Sequence, residues 1–203
     1  METTGILNPG VLSSIRRVQG ITIAWMIVEA ALSLWAAWQA HSPALAAFGG
    51  DSAVELLSAV VVLWRFRSPA SEKSERIAAR VAGTLLVVLS VFVAIISARA
   101  LLGYGEPRPS LFGIAVLTGA ALIMPWLAME KRRLSALTGS AALRADAAES
   151  MLCAYLSFIA LIGLVVHALW HIGWADPLAA ITILPFILYE AREAIRGRPC
   201  GCC

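Results

Sequence analysis

Two pairs of side chains in this sequence have the types and the spacing to hold a metal ion. Asp51 and Glu55 stand four residues apart, as do Glu149 and Cys153. On an α-helix that spacing sets both members of a pair on one face, with Cβ atoms about 6 Å apart. Facing helices would then converge three carboxylates and a thiol, the donor number of a tetrahedral Zn²⁺-like site. The sulfur favours Zn²⁺ and Cd²⁺ over Mn²⁺ or Mg²⁺, with Fe²⁺ and Co²⁺ admissible. Fully ionised, the set carries more negative charge than one divalent ion neutralises in a low dielectric. An empty site therefore keeps protons and gives some up as metal enters.

Each residue also has a plainer reading. A single cysteine in an apolar helix is commonly a small hydrophobe, although Glu149 beside Cys153 argues otherwise. Gly49-Gly50-Asp51-Ser52 has the look of a helix start, with Asp51 as its N-cap. Glu29 lies midway along an apolar run and fits a proton carrier, a fifth ligand or an acceptor behind the ligands. Asp146, one turn from Glu149 and close to Arg144, reads as a solvated entrance residue, an accessory ligand or a proton carrier. His41, His167 and His171 gather at the opposite ends of their runs, where they are either wet or part of an outer release site. Cys200, Cys202 and Cys203 form a thiol-rich tail, read here as a collector of metal; lipidation or redox exchange are the competing readings.

The elements that must position these groups are apolar and long. Of the 203 residues 60% are apolar and 14% charged, against roughly 45–50% and about 25% in soluble domains. Six apolar stretches, at 18–39, 44–66, 82–102, 111–129, 141–170 and 177–189, are read as membrane-spanning helices, since about 20 residues at 1.5 Å each cross a hydrocarbon core of about 30 Å. The expected fold is an all-α membrane protein of six transmembrane helices. Pro185 makes the sixth span the hardest to bound. Ionisable groups at such depth cost roughly 2.5–3.5 kcal/mol each on insertion scales, so Glu29, Asp51, Glu55 and Glu149 each need a partner or a task.

Charge sets the expected orientation. The formal net charge of +3 is not a nucleic-acid footprint, because all the basic residues except Arg99 and Arg108 lie in the N-terminal segment, the second and fourth connections and the C-terminal tail. That is the positive-inside pattern, with both termini cytosolic. Glu130-Lys131-Arg132-Arg133 reads as a basic stop at the cytosolic interface. The expected organisation is a cytosolic segment at 1–17, the helical domain at 18–190 and a Cys-rich tail at 191–203. Membrane lipid is an implied partner; no nucleic acid and no bound cofactor are expected. Asp51 and Asp146 each open a similar acidic segment, a faint hint of an internal repeat.

Two segments resemble a known family. Phe48-Gly49-Gly50-Asp51-Ser52-Ala53-Val54-Glu55 and Leu143-Arg144-Ala145-Asp146-Ala147-Ala148-Glu149-Ser150-Met151-Leu152-Cys153 are similar in spacing to the second- and fifth-helix motifs of the cation diffusion facilitators, six-helix transporters that export divalent metals in exchange for protons. Glu55 stands where that family commonly has Asp, Glu149 where it has His, and Cys153 where it has Asp. The resemblance covers residues 15–195, without the cytosolic C-terminal domain usual in the family. It implies a homodimer in a bacterial cytoplasmic membrane, with metal and protons as partners and no enzymatic reaction. A membrane thiol oxidoreductase and a non-transporting module whose acids bind partner helices are the rival readings.

Overall fold

A computed structural model describes residues 9–67, 72–104, 107–138 and 141–196. The chain is an all-α membrane protein, with six helices among the described residues: α1 Pro9–Ala40, α2 Pro43–Arg67, α3 Glu72–Leu101, α4 Leu111–Thr138, α5 Ala141–Trp170 and α6 Ala175–Arg196. No strand occurs among the described residues. Gly10–Ala40, Gly83–Leu101, Leu111–Thr138 and Asp146–Trp170 are long and apolar enough to cross a membrane. The two remaining helices carry acidic residues inward: Asp51 and Glu55 on α2, Asp176 and Glu190 on α6.

Several helices outrun the apolar stretches that announced them. α1 begins at Pro9 rather than near residue 18, and α4 continues past residue 129 to Thr138. Hydropathy marks the part that suits hydrocarbon, whereas the helix itself continues wherever backbone hydrogen bonds and propensity allow. α2 starts at Pro43, with Ser42 as its cap: the Leu45 N–H donates to Ser42 Oγ at 3.1 Å. Asp51 therefore lies in the third turn of α2, and the N-cap reading of that residue is excluded.

Inward faces follow helical periodicity. On α1 the buried residues are Ile15, Val18, Gln19, Thr22, Met26, Glu29, Ala30, Ser33, Ala36, Ala37 and Ala40, a stripe with steps of three and four that is polar at several turns. On α5, Asp146, Ser150, Cys153 and Ser157 form a buried polar row of the same period. Large apolar side chains face outward instead, among them Leu122, Leu169 and Val88, the inversion expected when lipid rather than water surrounds the bundle. α4 packs along α5, α3 along α6 and α1 along α2, while α2 also touches α5 and α6.

Two glycines let α2 sit close to its neighbours. A Cβ on Gly49 would stand 2.9 Å from Ser33 Cβ on α1, and one on Gly50 would stand 2.5 Å from a Leu89 methyl on α3. Such small-residue contacts permit close backbone approach between membrane helices. They bring α2 near enough for Ser52 to reach Glu29 on α1.

Candidate metal site in the bundle interior

The polar rows of α1, α2 and α5 meet in the middle of the bundle. Glu29 is fully buried and accepts three hydrogen bonds: from the Trp25 indole N–H, from Ser52 Oγ at 2.8 Å and from Cys153 Sγ at 3.4 Å. Ser52 Oγ is also 4.0 Å from Cys153 Sγ. Cys153 also lies within electrostatic reach of Glu55. One carboxylate, one hydroxyl and one thiol from three helices thus form a single knot.

Toward the end of the bundle that carries the termini, a second set of groups continues inward from α4. Lys131 is fully buried, and its Nζ donates to Asp146 Oδ1 at 2.9 Å and to Ser150 Oγ at 2.8 Å. Ser150 Oγ in turn donates to Glu55 Oε1 at 3.1 Å. Gln19 of α1 donates from Nε2 to the other Asp146 oxygen, and its own Oε1 is buried without a partner among the described residues. The chain Gln19–Asp146–Lys131–Ser150–Glu55 ties four helices together.

Asp51 stands between these sets. It is 4% exposed and makes no side-chain hydrogen bond among the described residues. The charges it faces are carboxylates: Glu55, Glu149 and Glu29. Glu149 faces Glu190 of α6 as well as Asp146 and Glu55, and Glu190 in turn faces Asp51 and Glu55. Six acids from four helices, Glu29, Asp51, Glu55, Asp146, Glu149 and Glu190, thus act on one another in an interior where unlike charge is scarce. Such a cluster demands protons or a cation, because at low dielectric the repulsion of neighbouring carboxylates is far larger than in water.

Of the residues predicted to bind metal, Asp51, Glu55, Glu149 and Cys153 all border this interior. They are not drawn tight: among the described residues no three His, Cys, Asp or Glu side chains converge closely enough to hold a metal ion. Glu29 carries the hydrogen bonds of an acceptor behind Cys153. Cys200, Cys202 and Cys203 lie outside the described residues. At the opposite end, His41 and His171 are exposed at positive φ, while His167 is buried with Nδ1 3.1 Å from the Ile172 carbonyl oxygen.

Two expectations are corrected. Asp146 is not solvated: it is 1% exposed, because Lys131 and Gln19 supply its donors. Lys131 is not part of an interfacial basic stop. The signal for it was present, since Met124, Leu127, Ala128, Lys131, Leu134 and Ser135 share the inward face of α4 at helical spacing. Glu190, absent from the predicted site, falls one residue past the apolar stretch ending at Tyr189.

The decisive comparison is at the level of the whole chain: residues 20–197 match the family described as the cation efflux transmembrane domain. The chain belongs to the cation diffusion facilitator family. That family consists of transporters, and the chain is an integral membrane protein. It is 27% identical over 173 residues to the manganese efflux system protein MneS of Bacillus subtilis (strain 168), covering 80% of this chain and 59% of that protein. It is 29% identical over 153 residues to the uncharacterized transporter YdbO of the same organism, covering 70% of this chain and 52% of that protein. The chain thus spans between half and three fifths of the length of these relatives.

Proposed function

We propose that this chain carries divalent transition-metal ions out of the cytosol in exchange for protons, through the interior site bordered by Asp51, Glu55, Glu149 and Cys153. The observation that carries the reading is Asp51: a buried acid with no hydrogen-bond donor among the described residues, beside Glu55 on its own helix and acted on by the charge of Glu149 from α5. A divalent ion supplies the missing positive charge, and protons supply it in the ion's absence. Binding one therefore releases the other. Alternating access around a site deep in the membrane then couples metal movement to an opposing proton movement.

Zn²⁺ and Cd²⁺ are the cargo favoured by the Cys153 thiol, whose deprotonated sulfur prefers borderline and soft ions. A second reading, Mn²⁺, is favoured by the excess of oxygen donors around Asp51, Glu149 and Glu190 and by the name of MneS. Operation as a homodimer in a bacterial cytoplasmic membrane with cytosolic termini is part of the proposal. Cys200, Cys202 and Cys203 then face the compartment from which metal is drawn. The lone described thiol, Cys153, hydrogen-bonds to a carboxylate rather than to another sulfur, which favours transport over thiol exchange.

Proteoliposomes with an imposed pH gradient test the reading directly. Uptake of Zn²⁺, Cd²⁺, Mn²⁺, Fe²⁺ and Co²⁺ is measured beside the internal pH. Metal-dependent proton counterflow that Asp51→Ala abolishes is the expected result. Flux without proton movement would leave a uniporter, and no flux of any of the five ions would end the proposal.

A further inference from the structure

We propose that Lys131 is a tethered cation that competes with the cargo for Glu55 and so sets how readily the site lets its metal go. The inference rests on the transport reading above and assigns a role to a residue outside the ligand set.

The geometry is specific. Lys131 Nζ holds Asp146 Oδ1 at 2.9 Å and Ser150 Oγ at 2.8 Å, and the same Ser150 hydroxyl donates to Glu55 Oε1 at 3.1 Å. The ammonium therefore acts on Glu55 through a single hydroxyl, and its charge is also felt at Glu149. Lys131 is fully buried on α4, a helix that contributes none of the proposed ligands. A buried lysine carries a large desolvation cost, met here by Asp146 and Ser150. The ammonium has three donors, and Asp146 and Ser150 take two of them. The additional hydroxyl bond toward Glu55 links the pair to the acids of the site.

Consequences follow from electrostatics. The Lys131–Asp146 pair is neutral as a whole, so it leaves the net charge of the interior alone. At Glu55, however, its positive end acts more strongly than its negative end, whereas at Glu149 the order is reversed. A divalent ion bound at Glu55 is repelled by that positive end, and the Ser150 hydroxyl donating to Glu55 Oε1 takes one of the lone pairs open to the ion. Metal at Glu55 thus competes with Ser150 and the ammonium behind it. Lys131 is a positioning residue that weakens binding in favour of turnover.

The test uses the 203-residue chain in nanodiscs and proteoliposomes. The double variant Lys131→Met/Asp146→Asn removes the ammonium without changing the net charge. Zn²⁺ titration calorimetry is expected to give a Kd lower by about tenfold, with slower maximal uptake of Zn²⁺ in vesicles. Lys131→Arg, which keeps the charge, is expected to return the affinity toward that of the unaltered protein. A folded double variant with unaltered Kd would overturn the inference, whatever its melting temperature. Should that variant fail to fold, Ser150→Ala decides, because it cuts the link to Glu55 and leaves the ion pair intact: tighter Zn²⁺ binding supports the role, and an unchanged Kd overturns it. If the unaltered chain itself shows no Zn²⁺, Cd²⁺ or Mn²⁺ binding sensitive to Asp51→Ala, the transport reading fails and takes this inference with it. Binding of that kind with unresponsive Lys131 and Ser150 variants removes the inference alone.

Discussion

Asp51 and Asp176 are both buried aspartates on helices that bring acids inward, and their surroundings are opposite. Asp176, 1% exposed, accepts the Ser42 hydroxyl and the Ala44 backbone N–H at 3.0 Å, with His167 close enough to act on its charge. It sits against the first turn of α2, where unpaired backbone N–H groups and the helix dipole favour an anion. Asp51, 4% exposed, has no such donor among the described residues and faces Glu55, Glu149 and Glu29. Equal burial therefore separates two kinds of acid. One is satisfied by the protein and ties α6 to the start of α2; the other has, among the described residues, only like charge acting on it. This difference, more than depth in the membrane, marks the candidate site.

The largest expected effect follows from that contrast. Asp51→Asn should reduce metal flux in proteoliposomes by at least about a hundredfold, a loss of roughly 2.7 kcal/mol or more in transition-state terms, with an unchanged or higher melting temperature because it relieves repulsion. Near-normal flux in this variant would erase the distinction between the two aspartates. Lys131→Met comes next, since it strands Asp146 as an unpaired buried charge and should cost about 3–5 kcal/mol of stability. A melt followed by intrinsic tryptophan fluorescence would register it. An unaltered melt would mean that the Lys131–Asp146 pair holds nothing together.

Asp176→Asn should behave as the mirror image of Asp51→Asn. The amide retains one oxygen for the Ser42 hydroxyl or the Ala44 N–H and gives up the charge that favours both, so about 2 kcal/mol of stability is lost. Flux per folded molecule should stay within about twofold of normal, well inside 1 kcal/mol. Loss of flux without loss of stability would place Asp176 in the transport path and blur the comparison.

What the sequence made legible were the residues whose spacing is periodic and whose charge is isolated in hydrocarbon. Asp51 with Glu55 and Glu149 with Cys153 could be read because a spacing of four maps onto one helix face, and Glu29 because no water lies within reach of its position. Residues near the edges of apolar runs could not be read that way. Lys131 lies among Glu130, Arg132 and Arg133, where a charge ordinarily meets headgroups; only the inward period of α4 distinguishes it. Asp146 was hidden for the complementary reason, since its partner lies on another helix and fifteen positions away. Glu190 follows the last apolar residue of its stretch, so a hydropathy boundary excluded it although α6 continues to Arg196. The fold itself was legible as six helices. Their ends were not, because hydropathy reports the solvent a segment suits rather than where its hydrogen bonds stop.

The smallest predicted effect concerns selectivity within the site rather than its existence. Cys153→Ser replaces the thiol by a hydroxyl that can still donate to Glu29, so the hydrogen bond recorded at 3.4 Å is kept and shortened. The bundle should be no less stable, to within about 0.5 kcal/mol. The soft donor is lost while the acids facing Asp51 remain, so affinity for Cd²⁺ should fall most, Zn²⁺ less and Mn²⁺ least. A tenfold change in the Cd²⁺ to Mn²⁺ ratio corresponds to about 1.4 kcal/mol, within what one sulfur ligand contributes. Competition uptake with both ions present measures the ratio in one vesicle preparation. A shifted ratio assigns Cys153 to the coordinating set; an unshifted ratio, with flux intact, assigns it to the hydrogen-bonded knot around Glu29 and leaves Asp51, Glu55 and Glu149 to hold the ion through oxygen alone, which would favour the Mn²⁺ reading.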